Sequence, residues 1–155
     1  MSVSVLRCTA AQIFAEPEFP ALHREYVAEC ALHGLPDPDE KLAMYKALDA
    51  NDAFRAFGAF FNGELVGFVA ILAPTLPHYG ITVAVAESLF VGQAFRKTGA
   101  GLALIRRAEE EARAIGSPAI LFSSPSGGRL ATLLPRIGYR ETNRAFMKEL
   151  RTCAA

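Results

Sequence analysis

The spacing of apolar positions changes along the chain, and each spacing predicts a different element. Residues 2–8 carry β-branched side chains in a short run and predict a first strand. Between residues 20 and 33 the apolar positions recur at helical spacing and predict a helix. A second helix is expected to end near Ala50, after a loop in which Asp37 or Asp39 can cap its first turn.

The middle of the chain has the patterning of strands. Residues 54–61 and 64–73 flank Asn62-Gly63, a dipeptide that accepts positive φ at both central positions of a type I′ hairpin turn. Two prolines interrupt the pattern after this hairpin. Residues 81–91 then predict a long apolar strand that contains a single charge, Glu87.

The last third alternates helix and strand. An amphipathic helix that ends at Gly116 precedes a buried strand at residues 119–123. Residues 129–136 predict a short helix, and residues 139–142 and 145–150 predict a closing hairpin. The predicted order is βααβββαβαββ, with seven strands and four helices, which is a mixed α/β (α+β) fold.

Length and charge exclude several classes of function. The 155 residues contain no long linker and no internal repeat, which predicts a single domain over residues 1–155. Because 16 Lys and Arg are balanced by 16 Asp and Glu, the chain lacks the basic excess that a nucleic-acid partner requires. The longest run without a charged or strongly polar residue, 65–74, is far shorter than the roughly 20 residues of a membrane span, so no membrane partner is expected.

The number and spacing of the three cysteines indicate the cellular compartment. Cys8, Cys30 and Cys153 are far apart and odd in number, and no group of His, Cys and carboxylates has the spacing of a metal site. The three cysteines are expected to be reduced thiols that form no disulfide and bind no metal. The first residues also lack the basic and apolar segments of a signal peptide, and a cytoplasmic location is therefore expected.

The segment that carries the most chemical information is the junction R-K-T-G-A-G at residues 96–101, between a predicted strand and a predicted helix. Gly99 and Gly101 lack a Cβ, so their amides can approach a bulky anion, and the helix N-terminus adds unpaired N–H groups. The spacing by itself fits a simple helix start equally well. Neither the P-loop nor the dinucleotide-binding fingerprint matches, which argues against a nucleotide kinase and against NAD.

Residues 96–101 do match the pattern [QR]-x-x-G-x-[GA], and in this the chain resembles the GNAT family of acyl-CoA-dependent N-acetyltransferases. Leu89-Phe90-Val91 is similar to the end of the strand that precedes this pattern in the family. Ile137-Gly138-Tyr139 is similar to the sequence L-G-F, which is common in the family. The resemblance covers nearly the whole chain. It implies a central mixed, mostly antiparallel sheet and transfer of an acetyl group from acetyl-CoA to a primary amine of a small molecule or peptide, by direct attack in a ternary complex. Its exposed edge strands are also compatible with a homodimer.

The same resemblance implies a cofactor-binding site. Acyl-CoA is expected in an opening between a bulged strand and the strand at 119–123. Backbone groups of Leu89, Phe90 and Val91 would hold the pantetheine and the acetyl carbonyl. The pyrophosphate would lie on a cradle of backbone amides, with basic side chains at its rim: Arg96, Lys97, Thr98, Gly99, Ala100 and Gly101.

Two residues are candidates for catalysis. Glu87 is the only charged residue in 81–91 and lies two positions before Leu89, which makes it the candidate general base; the alternative is a carboxylate that faces solvent or pairs with a cation. The family's usual acid, a tyrosine, is replaced here by Leu134. Ser124, or a neighbouring serine, is the candidate proton donor to the departing thiolate, although small polar residues at a strand end also form turns.

Two other functions remain open at this point. Leu134 in place of a tyrosine is compatible with a non-catalytic acyl-CoA-binding or regulatory module. A longer acyl chain could be accommodated if several phenylalanines lined a tunnel, although in a hairpin these residues are more simply core: Phe54, Phe57, Phe60, Phe61 and Phe68.

Overall fold

The computed structural model describes residues 2–32, 35, 41–51 and 53–150. The helices are α1 (Ala10–Ala15), α2 (Phe19–Cys30), α3 (Lys41–Ala50), α4 (Ala100–Ala114) and α5 (Arg129–Arg136). The strands are β1 (Val3–Cys8), β2 (Phe54–Phe61), β3 (Glu64–Leu72), β4 (Thr75–Leu76), β5 (Ile81–Thr82), β6 (Ala84–Val91) and β7 (Ile120–Phe122).

Five strands form one mixed sheet in the order β1-β2-β3-β6-β7. The first three junctions are antiparallel and the junction of β6 with β7 is parallel. The β2–β3 hairpin turns at Asn62 (φ 54°) and Gly63 (φ 87°), as the Asn-Gly dipeptide predicts. The predicted fold class, a mixed and mostly antiparallel sheet with helices, is confirmed.

Helices cover both faces of the sheet. The apolar side of α4, with Leu104 and Ala108 fully buried, packs on one face around Phe57. Helices α1 and α2 pack on the other face around Phe68 and Phe90. Each face therefore has its own apolar cluster, as expected for a sheet that lies between helices.

Strand β6 contains a bulge at Glu87. Its neighbours Ser88 and Ala86 pair with consecutive residues of β3, Ala70 and Ile71, so Glu87 has no partner in that strand. An extra residue of this kind bends the strand and breaks the alternation of its side chains.

The change of alternation is visible in the core. Ala84 and Val91 are seven positions apart, and a regular strand would place them on opposite faces. Both nevertheless belong to the cluster that packs against α4. The bulge between them therefore allows both ends of β6 to bury apolar side chains under the same helix.

The predicted closing hairpin at residues 139–142 and 145–150 is wrong, because residues 139–150 contain no strand. Five consecutive polar residues, 140–144, follow Tyr139, and the apolar residues after them do not alternate regularly enough to present one face to the sheet. Phe146 is 94% exposed and Leu150 is 83% exposed. The main sheet thus has five strands where about seven were expected, and the outer edge of β7 has no strand partner among the described residues.

Two smaller differences concern the N-terminal half and the middle of the chain. The pattern did not predict α1, which Thr9 and Gln12 cap reciprocally. The long strand predicted over 81–91 is divided at Val83, and the β4–β5 pair occupies the segment before it. The predicted caps Asp37 and Asp39 lie outside the described residues.

Within the described residues, no helix is both long and apolar enough to cross a membrane.

Candidate active site

An opening in the sheet begins at Glu87. Strands β6 and β7 pair over three residues only, and the last pair is Ala86 with Phe122. Beyond it the side of β6 that faces away from β3 has no strand partner among the described residues. Alternate backbone groups of residues 88–91 therefore face this opening and are available to a ligand.

Ser117 holds the closed end of this opening. Its buried hydroxyl accepts a hydrogen bond from the Ala84 amide at 2.8 Å and donates one to the Ala119 carbonyl at 2.6 Å. These contacts join the start of β6 to the segment that leads into β7. The two strands are therefore fastened at one end and separate at the other.

The side chains of Leu89, Phe90 and Val91 anchor the strand. Phe90 is buried beside Tyr26 and Phe68, whereas Val91 and the partly buried Leu89 pack on the α4 side. With the side chains occupied in this way, only backbone groups are free to contact a ligand. The arrangement suits the backbone role predicted for these three residues, which remains a prediction.

The loop at residues 96–101 has the geometry of an anion cradle. A 3₁₀ turn (Gln93–Phe95) leads into it, and Gly99, at φ 87°, precedes the first turn of α4. A Cβ at Gly99 would meet nothing within 4 Å, and one at Gly101 would meet only Val91 Cγ2 at 3.9 Å. The space beside both glycines is therefore open, and the first-turn amides of α4 have no acceptor within their own helix.

Thr98 and Ala100 shape the start of α4. The Thr98 hydroxyl donates to the Phe95 carbonyl at 2.7 Å and lies 3.4 Å from the Ala100 amide. Ala100 is fully buried under the sheet. Both side chains hold the loop in place and leave the space in front of the glycines open, so an acyl-CoA pyrophosphate fits the residues present.

Arg96 is occupied within the protein. Its guanidinium is 2.5 Å from Glu29 of α2, donates through Nε to the Val91 carbonyl at 3.1 Å and lies over the Phe90 ring. In the structure this charge ties α2 to the end of β6, and its predicted position at the rim of the phosphate loop remains a prediction. Lys97 is exposed, and its role at the rim also remains a prediction.

The Glu87 carboxylate lies on the side of the sheet covered by α2 and α3. The Tyr45 hydroxyl of α3 donates to Glu87 Oε1 at 3.0 Å. Tyr26 of α2 is near enough that the Glu87 charge, after burial, is the second contribution that raises the pKa of Tyr26 to about 12. Two tyrosines and one carboxylate therefore border the point where β6 and β7 separate.

Among the described residues, none of the three positions considered for a proton donor makes a contact that identifies it as one. Ser124 follows β7, and its hydroxyl donates to the adjacent Pro125 carbonyl at 3.2 Å, which is the contact of a turn. Leu134 is buried in α5. Tyr139 donates to Glu109 at 2.7 Å and packs its ring edge against Phe122, and burial together with this bond raises its pKa. The role predicted for Ser124 remains a prediction.

The five phenylalanines that could have lined a tunnel lie in the two core clusters instead. Phe57 is fully buried and Phe61 partly buried on the α4 side, and Phe54, Phe60 and Phe68 belong to the other cluster. This is the simpler of the two roles considered for them.

The sequence did not identify Tyr26, Tyr45 or Glu29 as site residues. The two tyrosines occupy apolar positions of their helices, and the residues they meet are distant in sequence. One signal was present: a tyrosine on the inner side of a helix brings a hydroxyl that needs a polar partner. Glu29 gave no such signal, because exposed carboxylates are common on helices.

Solved structures share this architecture. A ribosomal-protein-alanine N-acetyltransferase from Brucella melitensis biovar Abortus 2308 is 20% identical, with a TM-score of 0.74 over 97% of this chain and 100% of that one. AAC(6')-Iy, in complex with the bisubstrate analog CoA-S-monomethyl-acetylneamine, is 18% identical, with a TM-score of 0.75 over 98% and 100%. An aminoglycoside acetyltransferase, meta-AAC0020, from an uncultured soil metagenomic sample is 19% identical, with a TM-score of 0.73 over 96% and 97%.

The sequence comparison gives the family. No curated protein matches the chain. The family model "Acetyltransferase (GNAT) family" matches residues 19–128, which extend from the start of α2 past β7 and include the bulge and the whole phosphate loop. The chain therefore belongs to the GNAT family of acetyltransferases.

Proposed function

We propose that this protein transfers the acetyl group of acetyl-CoA to a primary amine of a small molecule or peptide, in a ternary complex, with Glu87 as general base. The observation that supports this most directly is the position of Glu87. The carboxylate lies on the bulge where β6 and β7 separate, next to the backbone expected to hold the acetyl thioester.

The base has a definite task. An alkyl ammonium with a pKa near 10.4 is about 3.4 pH units from deprotonation at pH 7, and at 1.36 kcal/mol per unit this costs roughly 4.6 kcal/mol. Glu87 accepts the proton as the amine attacks the thioester carbonyl. The new C–N bond forms, the C–S bond breaks, and CoA leaves as a thiolate that takes a proton from water or from a donor such as Ser124.

Orientation of the two substrates contributes as much as the base. Positioning alone can lower a barrier by up to ~7–11 kcal/mol. The fastened end of the β6–β7 pair and the phosphate loop are the rigid parts that would hold the donor. A protein without a dedicated acid at position 134 can therefore still be an efficient enzyme.

Two finer points belong to the same proposal. We place the protein in the cytoplasm, since Cys8 and Cys30 are free thiols. The homodimer expected from the exposed edge strands remains a prediction.

The test is release of CoA thiol from acetyl-CoA with a panel of primary amines, together with calorimetry using acetyl-CoA, CoA and NAD. The panel includes an aminoglycoside and a peptide that begins with alanine, because the names of solved structures with this fold contain those acceptors. We expect acetyl-CoA and CoA to bind, NAD not to bind, and thiol release to require an amine that mass spectrometry then finds acetylated. Binding without release across the panel would favour the non-catalytic module, and absence of binding would refute the donor.

A further inference from the structure

Glu87 receives one hydrogen bond from the described residues, and it comes from a helix far away in sequence. Tyr45 of α3 donates to Glu87 Oε1 at 3.0 Å across a separation of 42 residues. The second carboxylate oxygen is left to accept a proton from an incoming amine. The family pattern around residues 96–101 contains nothing that would place a hydroxyl here.

The tyrosine ring is held from both sides by the core. Its centroid is 5.1 Å from that of Phe54 at the start of β2 and 5.9 Å from that of Phe14 in α1. Both partners pack with the cluster under α1 and α2. Because tyrosine has only two side-chain torsions, ring packing determines where the hydroxyl points.

The carboxylate lacks comparable support from its own strand. Glu87 is the unpaired residue of the bulge, and its side chain is exposed. Fixing a free glutamate side chain costs rotamer entropy. A hydrogen bond from a rigid donor is the contact that restricts it to one orientation.

We propose that Tyr45 is the positioning residue of this site: it holds the Glu87 carboxylate at the opening between β6 and β7 with one oxygen free. The inference rests on the proposed function, in which Glu87 takes the amine proton. It also gives α3 a role, because the base is then held by a residue of this helix.

A purely structural contact is the competing explanation, in which the bond only fastens α3 to the sheet. The two explanations differ in what Tyr45→Phe does. The variant keeps the ring and its packing against Phe54 and Phe14, and it removes only the hydroxyl. Tyr139→Phe is the matched control, since it removes a hydroxyl bonded to a carboxylate, Glu109, in another part of the molecule.

The experiment is a double-mutant cycle of Tyr45→Phe and Glu87→Gln, read as kcat, KM for the amine and Kd for acetyl-CoA. We expect Tyr45→Phe to lower kcat about tenfold in the wild-type background, with Kd unchanged, and to lower it no further when Glu87 is already Gln. Equal losses in both backgrounds, or no loss in the wild-type background, would overturn the positioning role. Tyr139→Phe should leave kcat unchanged.

A second measurement does not depend on transfer activity. NMR relaxation of the Glu87 side chain in the free protein should show lower order in Tyr45→Phe than in the wild type. Unchanged order in the variant would refute the inference even if no amine were ever acetylated. Failure of the wild type to release thiol, with the order difference present, would instead count against the proposed function alone.

Discussion

At Glu87 a backbone irregularity and a charge fall on the same residue. The bulge removes this residue from the β3 ladder and directs its side chain toward α3. Bulges are common where a strand must re-aim a side chain. A glutamate on a regular strand would either face solvent fully or be buried at a large desolvation cost. Here the Glu87 side chain is exposed, and the Tyr45 hydroxyl holds its carboxylate.

Replacing the Glu87 carboxylate should lower the rate of acetyl transfer without changing the affinity for acetyl-CoA. We expect Glu87→Gln to reduce kcat/KM at neutral pH by about 10²-fold, the low end of what general bases contribute. The loss should become smaller at high pH, where water alone deprotonates more of the amine. The measurement is a pH series of thiol release, with calorimetry showing unchanged acetyl-CoA affinity. Glu110→Gln on the exposed side of α4 is the control, and an equal loss at every pH would remove Glu87 from this role.

Tyr26 should make the fold sensitive to alkali. Burial, and then the nearby Glu87 charge, raise the pKa of Tyr26 from 10 to about 12. The folded protein therefore keeps this proton at a pH where the unfolded chain has lost it, and stability falls as pH rises above 10 and through about 12.

In Tyr26→Phe this part of the decline should disappear. Since the ring is only partly buried, we expect a difference of about 1 kcal/mol in the pH-dependent loss of unfolding free energy at pH 11. Urea unfolding of wild type and variant at pH 8 and pH 11 gives the comparison. Parallel losses in the two proteins would show that Tyr26 does not titrate in this way.

Among the elements, α4 serves both packing and binding. Its inner side carries the core residues under the sheet, and its first turn carries the amides that face the phosphate loop. The helix dipole alone contributes only about 0.3–1 kcal/mol toward an anion. The open space beside the two glycines is therefore the feature that matters most for affinity, because it lets the amides reach the phosphates.

Filling that space should weaken donor binding. We expect Gly101→Val to reduce acetyl-CoA affinity at least about tenfold, which is roughly 1.4 kcal/mol. Gly101 suits this test better than Gly99, because Gly99 has a φ of 87° and any side chain there adds backbone strain. Calorimetry gives the affinity and a thermal melt shows that the fold is kept. Leu102→Val, on the exposed side of the same turn, should bind normally, and normal binding by Gly101→Val would refute the cradle.

Elements with a strong local signal were predictable from the sequence. The β2–β3 hairpin and α4 follow from alternation, from the Asn-Gly turn and from helical periodicity over 15 residues. Helix α1 has only six residues, too few to show a period. The prediction of the closing hairpin was wrong because it gave too little weight to the five consecutive polar residues, 140–144, which cannot present an apolar face to the sheet.

The site was predictable only in part, for a related reason. The phosphate loop is contiguous in sequence, so its glycines and its helix start could be recognised together. The contact of Tyr45 with Glu87 and that of Arg96 with Glu29 join residues 42 and 67 positions apart. Such contacts depend on how α2 and α3 pack on the sheet, and no local pattern encodes that.

On the scale of the whole molecule, a buried carboxylate joins the sheet to α4. Glu111 is 6% exposed and lies 3.1 Å from Arg55 of β2, 3.1 Å from Arg107 of its own helix and 3.7 Å from Arg7 of β1. Arg107 also lies over the Phe57 ring at 4.3 Å. The orientation of α4, and with it the direction of its N-terminus, depends on this network as well as on apolar packing.

Removing the Glu111 carboxylate should destabilise the whole fold. We expect Glu111→Ala to lower the free energy of unfolding by about 3 kcal/mol, mainly because the largely buried Arg55 guanidinium loses this carboxylate in a poorly solvated place, whereas the contacts of Arg107 and the exposed Arg7 contribute less. Glu110→Ala, one residue earlier and exposed, should change it by less than about 0.5 kcal/mol. The urea midpoints at constant m-value give both numbers. Equal stability of the two variants would show that apolar packing alone orients α4.

The bulge in β6 also makes deletion and substitution at position 87 different experiments. A deletion of Glu87 would remove the bulge and leave Ala84 and Val91 six positions apart, so in a regular strand Leu89 and Val91 would stay on the α4 side and Phe90 on the other. The deletion would thus remove the bend of the strand and the carboxylate together, whereas a substitution at position 87 changes the carboxylate alone. One more residue inserted in β6 would instead exchange the faces of the residues that follow it, so insertions in natural variants of this chain should be tolerated at Asn62-Gly63 long before they are tolerated in β6.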